Sequence, residues 1–226
     1  MNKFLLAITF CAITTNVFAQ NIFFPSKVGT VLTYVQKDDK GNIENYSRQT
    51  ITAVEGSGAN MTISYRLEIM DKDRNVLSEI SAKRIIRNNV MIFDTESLLA
   101  GSVRDSKAEI EVTGSPMTLS NNMRPGQSFD DIQMTINVRR GIVRVRAEMN
   151  MTNRQCVAIE SVRVPAGTFE SHKTSYDVAA TVMRITTRTR TETWHAPNVG
   201  IVKSRVYDNR NRLQNVTELI EIRLPR

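Results

Sequence analysis

The sequence predicts an all-β protein, a curved antiparallel meander with at most one short helix. Three observations carry that expectation. Apolar and polar residues alternate with period two through runs of about ten residues, longer than the ordinary strand of five or six, as in wide sheets buried on one side. The connections between runs are short and hold Asp, Asn and Gly, the chemistry of hairpins. Only residues 95–101 show helix punctuation, with Thr95 as the expected N-cap and Gly101 as the stop.

Taken in order, the chain opens with a segment that is not part of the fold. Asn2 and Lys3 give a positive start, residues 4–10 are mostly apolar, and Val17-Phe18-Ala19 supplies what a signal peptidase reads. Residues 1–19 are therefore expected to be a signal peptide and Gln20 the mature start, with a periplasmic or secreted destination. Lipid attachment at Cys11 would need a small residue before it, and Phe10 stands there. Without residues 1–19 the formal charge falls from +7 to +6, and Cys156 is the remaining cysteine. It cannot bridge within its own chain, and residues 155–164 around it read as a strand, so it is expected as a small buried apolar group. No second long apolar run suggests a membrane helix.

Residues 61–69, 132–138 and 143–151 alternate most clearly, and residues 38–42, 71–75, Gly141 and 208–212 join such runs as hairpin turns. The three Asp-led turns are irregularly spaced, which argues for shared hairpin chemistry rather than a repeat. Pro116 and Arg124-Pro125-Gly126 mark a seam, but strands flank it closely, so one domain is expected. Residues 162–208 hold the lone tryptophan and both histidines. There Pro165-Ala166-Gly167 forms a turn, and residues 182–194 alternate as one strand whose even positions include Arg184, Arg188, Arg190 and Trp194. Pro197 and Gly200 break the pairing, which places Trp194 and His195 on a half-wet lip.

The run Val-Pro-Ala-Gly-Thr-Phe at 164–169, Trp194-His195-Ala196 followed by Gly200-Ile201-Val202-Lys203, the turn at Tyr207-Asp208 and the opening at 24–34 resemble the TapB-like family of secreted bacterial proteins. The resemblance covers most of the mature chain and rests on turn and core motifs. It implies a half-open barrel like those of lipoprotein and lipid carriers, hence a single β-barrel-like domain over residues 20–226. It supplies no catalytic residues. After the tryptophan, where relatives carry Tyr, this chain has His195.

Candidate chemistry is sparse, and no enzyme is expected. The 71–75 turn imitates the start of a calcium loop, but Val76 replaces the required Gly and Ala82 the required Glu. His172 and His195 have no Cys or paired His nearby for zinc. No nucleophile elbow, phosphate loop or dinucleotide fingerprint occurs, Ser171 and Ser175 have no distinctive context, and Asp130 and Asp131, adjacent on a strand, point to opposite faces. No catalytic residue, metal or cofactor is assigned. Arg144 and Arg146 share one face, as do Arg188 and Arg190, so neighbouring strands could form a cationic stripe toward an anionic surface. Nucleic acid is not expected, because aromatics do not interleave with the arginines. An outer-membrane barrel is disfavoured by Arg and Glu on the polar faces and by a C-terminus without an aromatic residue.

Two functional classes remain. One is an envelope binding module for an apolar or amphiphilic ligand such as a lipid, in which Trp194, His195, Phe169, Arg188 and Arg190 are the candidate ligand-binding residues and methionines adapt the surface. The other is a structural or assembly protein of the envelope acting through protein–protein contacts.

Overall fold

The computed structural model describes residues 22–102 and 108–225. The expected signal peptide lies outside them. Thirteen strands form one antiparallel sheet: β1 (Val31–Asp38), β2 (Ile43–Ser57), β3 (Asn60–Met70), β4 (Val76–Arg87), β5 (Val90–Phe93), β6 (Glu109–Gly114), β7 (Thr118–Ser120), β8 (Ile132–Arg140), β9 (Val143–Val164), β10 (Gly167–Val182), β11 (Ile185–Ala196), β12 (Gly200–Asp208) and β13 (Leu213–Arg223). Their order is β6-β8-β9-β10-β11-β12-β13-β1-β2-β3-β4-β5-β7. The first and last thirds of the chain meet where β1 pairs β13, from Val31 opposite Arg223 to Asp38 opposite Asn215. The all-β meander and half-open barrel expected from the sequence are therefore the observed fold.

The two edges of the sheet belong to consecutive strands. Gly114 ends β6 against Met134, and Thr118 starts β7 against Ile92. The intervening residues can reach at most about 14 Å, so the sheet must curl until its edges nearly meet. Counting alternations across the order, β6 and β7 point the same way, and the chain leaves one edge and joins the other as one continuing run. This strap is tied on both sides. Ser115 N–H donates to Gln133 O at 2.7 Å, and Phe93 N–H donates to Met117 O at 2.9 Å. Arg154, buried on β9, adds a stitch by donating 2.5 Å hydrogen bonds to Asp130 O and Thr118 O.

Local chemistry explains the turns. Asp38, Asp71 and Asp208 each accept two backbone N–H bonds, from the residues two and four positions on, at 2.8–2.9 Å. Each such turn passes through positive φ one residue before its end, at Gly41, Arg74 and Asn211. The Asp71 carboxylate also accepts from the Asn75 side chain at 2.9 Å, so the calcium-like turn spends its acid on its own loop. These bonds hold all three carboxylates below the usual range, the side-chain bonds to Asn42 and Asn75 and the backbone bond to Arg212 being the largest causes.

Two local expectations need correction. The helix α1 (Thr95–Ser102) is capped by Asp94, whose Oδ1 accepts from Ser97 N–H at 3.1 Å; an acid bonds an exposed N–H more strongly than Thr95 would. Residues 182–194 are not one strand. Met183 and Arg184 both take positive φ, 49° and 70°, and form the two-residue turn between β10 and β11. That turn type ordinarily uses Asn and Gly, so its usual signature was absent.

The core divides into three groups. Ile51, Ile63, Tyr65, Ile86 and Met91 pack with Phe23 and Phe24 of the entering segment; Leu32, Val164, Val202 and Leu219 pack with Trp194; Ile132, Met134 and Met151 form the third. Cys156 is fully buried, and burial pushes its thiol pKa up, as expected for an apolar role. If the strap sets the curvature, Arg154→Met should destabilise the fold by about 3 kcal/mol, two charged hydrogen bonds being lost and two carbonyls left unpaired. Urea unfolding checks this; an unchanged midpoint would remove Arg154 from the closure.

Candidate functional site

Curling leaves a cleft on the concave face, where two cavities adjoin. The larger, about 210 Å³, is lined by Phe23, Phe24, Tyr34, Arg84 and Met91, with Ser47, Gln49, Ser204 and Thr217 as polar positions. The smaller, about 70 Å³, lies between Met117, Phe129, Met151, Arg154 and Tyr176. Phe93, Leu119, His195 and Ile201 border both. An apolar lining with few polar groups is the usual make-up of a ligand pocket.

Alternation explains which side chains enter it. On β4, Ile80, Ala82, Arg84 and Ile86 share the buried face, so Arg84 is the charged member of an otherwise apolar row. Its guanidinium lies 4.2 Å from the Phe93 ring centre, 4.8 Å from Tyr65 and 5.4 Å from Phe24. Burial pulls its pKa down, and burial raises those of Tyr34 and Tyr65.

His172 and His195 face each other across β10 and β11. The Phe23 ring meets them edge-on, 4.9 and 6.0 Å between centres. His195 is 5% exposed, and its Nε2 shares a 3.2 Å hydrogen bond with the Thr174 hydroxyl. Burial, with a smaller contribution from His172, pulls the His195 pKa down to about 3; burial also lowers that of His172. A neutral imidazole at the junction of two cavities is a wall group and hydrogen-bond partner, not a cation.

The five candidate residues separate. His195 borders the cleft. Trp194 is 4% exposed and packs on the other side of the sheet with Val162, Val164 and Phe169. Its indole N–H donates to Glu160 at 2.5 Å, and Lys173 and Arg205 lie 4.9 and 5.5 Å from the ring centre. The expected half-wet lip is therefore corrected: β11 runs through Trp194 and His195 in unbroken register with β10, so alternation sends the two to opposite faces, and both are covered. Arg188 and Arg190 flank a shallow depression with Asp177 and Asp208 on the outer surface. Arg190 also stacks 4.7 Å from the Tyr207 ring centre and lies 3.8 Å from Glu192, so its part of the expected cationic stripe is interleaved with acid. The register does place Arg188, Ala179 and Asn150 in one row, and hence Arg144 and Arg146 on the same outer face, with β10 between their strands.

Sequence reasoning missed Arg84, Phe93, Leu119 and the Phe23-Phe24 plug. A signal for Arg84 existed, an arginine in phase with Ile80, Ala82 and Ile86. None existed for Leu119 on three-residue β7, which has no periodicity to read. Among the described residues, no group of three His, Cys, Asp or Glu side chains could hold a metal.

A family described as DUF3108-like matches residues 27–219. A candidate exported protein with a YmcC-like fold from Bacteroides fragilis NCTC 9343 is similar at 22% identity and TM-score 0.73, over 90% of this chain and all of the other. A candidate lipoprotein from Parabacteroides distasonis ATCC 8503 is similar at 23% identity and TM-score 0.73, over 90% of this chain and 99% of that one. These likenesses show the fold; no curated protein matches.

Because the folded pKa of His195 lies below the unfolded value of about 6.5, the unfolded chain takes up the proton first. Stability is then complete above about pH 6.5 and falls as pH drops toward 3. The slope should approach about 1.4 kcal/mol per pH unit for this histidine, and His195→Leu should flatten it in urea titrations between pH 6.5 and 4.5. The Asp38, Asp71 and Asp208 carboxylates titrate below that window. An identical slope in wild type and variant would contradict the neutral buried imidazole.

Proposed function

We propose that this chain, which belongs to the DUF3108-like family, is an exported, non-enzymatic binding protein of the cell envelope that takes an apolar or amphiphilic ligand into its cleft. The observation that carries the reading is the pair of adjoining apolar cavities on the concave face. His195 contributes a neutral wall, while Trp194 and Phe169 support the sheet from outside. The TapB-like likeness of the turn motifs, and the carrier role it implies, belong to the same proposal. Native mass spectrometry of gently extracted protein should show a co-purifying small amphiphile. A chain that is bare, or bound only to another protein, would favour the envelope assembly reading instead.

A second reading, contact with an anionic membrane surface, has its own observation. The β8–β9 hairpin extends about 13 Å past the end of β10, since Val182 pairs with Ala147 and Arg140 with Val143. Its tip carries Ile142, 99% exposed, and the next tip carries Met183 and Ile185, each 74% exposed. Arg139, Arg140, Arg144, Arg146, Arg184 and Arg188 are exposed around them, against Glu109, Glu111 and Glu148. Apolar tips within an arginine-rich surround suit insertion between anionic head groups, each charge contributing about 1 kcal/mol near the surface. Sedimentation with phosphatidylglycerol vesicles should fall steeply with added salt, and Ile142→Asp with Met183→Asp should weaken it at every salt concentration. Salt-independent binding, or none at low ionic strength, would leave the tips without this role.

A further inference from the structure

Arg84 is the feature of the cleft that an apolar ligand alone does not explain. It is 8% exposed, yet among the described residues no carboxylate lies within 4 Å of it. Its Nε has no hydrogen-bond partner, and one terminal nitrogen donates only to Lys83 O at 3.4 Å. Asp94, the acid that acts on it electrostatically, is engaged in capping α1. The Tyr65 hydroxyl beside it, the side chain that interacts most with the guanidinium, is itself buried with no other partner and is not a carboxylate. A guanidinium retains its charge, and burial of a charge is costly unless it is paired and hydrogen-bonded. Three aromatic faces offset part of that cost, and they leave the guanidinium without a carboxylate counter-ion and its Nε without an acceptor.

We infer that the larger cavity is an anion-headed amphiphile site, in which Arg84 pairs with the single carboxylate or phosphate of a ligand whose short apolar tail lies along Met91, Phe93 and Leu119. This rests on the binding reading above and adds the head-group chemistry. The geometry favours it over a neutral lipid, since a neutral head would leave the buried guanidinium uncompensated. At about 210 Å³ the cavity falls below the ordinary range of about 300–1,000 Å³ for ligand pockets, which points to a short tail. Arg84 stands opposite Phe93 in the β4–β5 register, so head and tail positions adjoin.

Calorimetry with three eight-carbon probes tests this on the intact mature protein: octanoate, octyl phosphate and 1-octanol. One anion or both should bind at least tenfold more tightly than octanol, and the tighter of the two identifies a carboxylate or a phosphate source. Arg84→Met should erase the discrimination while retaining octanol binding, and Arg84→Lys should keep part of it. Should Arg84→Met fail to fold, the three-probe comparison on the wild type decides by itself, checked by the thermal shift each probe produces. Equal binding of all three probes to the wild type overturns the head-group assignment and leaves the apolar-ligand reading standing. Binding of none overturns both.

Discussion

The constraint on which the rest of the structure depends is the length of chain between β6 and β7. Two edges of a thirteen-stranded sheet are tied by a run too short to let them separate, and the sheet answers by curling. Since β7 begins where the run from β6 leaves off, the two edge strands follow one another instead of lying side by side; they do not pair, and the barrel stays half open. Closure is thus made by the covalent strap, by the bonds of Ser115 and Phe93, and by Arg154 reaching from β9 to Asp130 and Thr118. The cleft is a consequence, because a curled sheet with one open seam has a concave face that its own side chains do not fill.

That geometry assigns different work to the two faces. Inside, long strands contribute Phe, Met, Leu and Ile, and the basic side chains among them include buried Arg84, Arg154 and His195 and half-buried His172. Outside, some charges are paired, as where Lys37 and Lys203 flank Glu218 at 3.2 and 2.9 Å, and where Lys173 lies 3.2 Å from Glu192. Toward the hairpin tips exposed arginines outnumber the acids around them. Period-two alternation lets individual strands serve both purposes. On β11 it sends the Trp194 indole outward to Glu160 and the neighbouring imidazole inward to Thr174.

Much of the fold was legible because strand alternation and Asp-led turns are local. Residues 61–69, 132–138 and 143–151 all fall within observed strands, and each Asp turn closes its hairpin with the same pair of bonds. The Met183-Arg184 turn was illegible since neither residue announces positive φ. The site was less legible for a different reason. Period two puts Trp194 and His195 on opposite faces, but that both faces would be covered there depends on residues distant in sequence, Phe23 against the imidazole and Glu160 at the indole. Arg84 shows that an in-phase charge on an apolar row is a signal worth reading, and β7 shows that three residues carry none.

Backbone amide exchange at the strap tests the account most directly. If the two edges are tied as described, Ser115 and Phe93 amides should be protected to the same degree as those of the adjoining strands β8 and β5, and Arg154→Met should release them together. Rapid exchange at both in the wild type, with β8 and β5 still protected, would contradict a closed seam and with it the origin of the cleft.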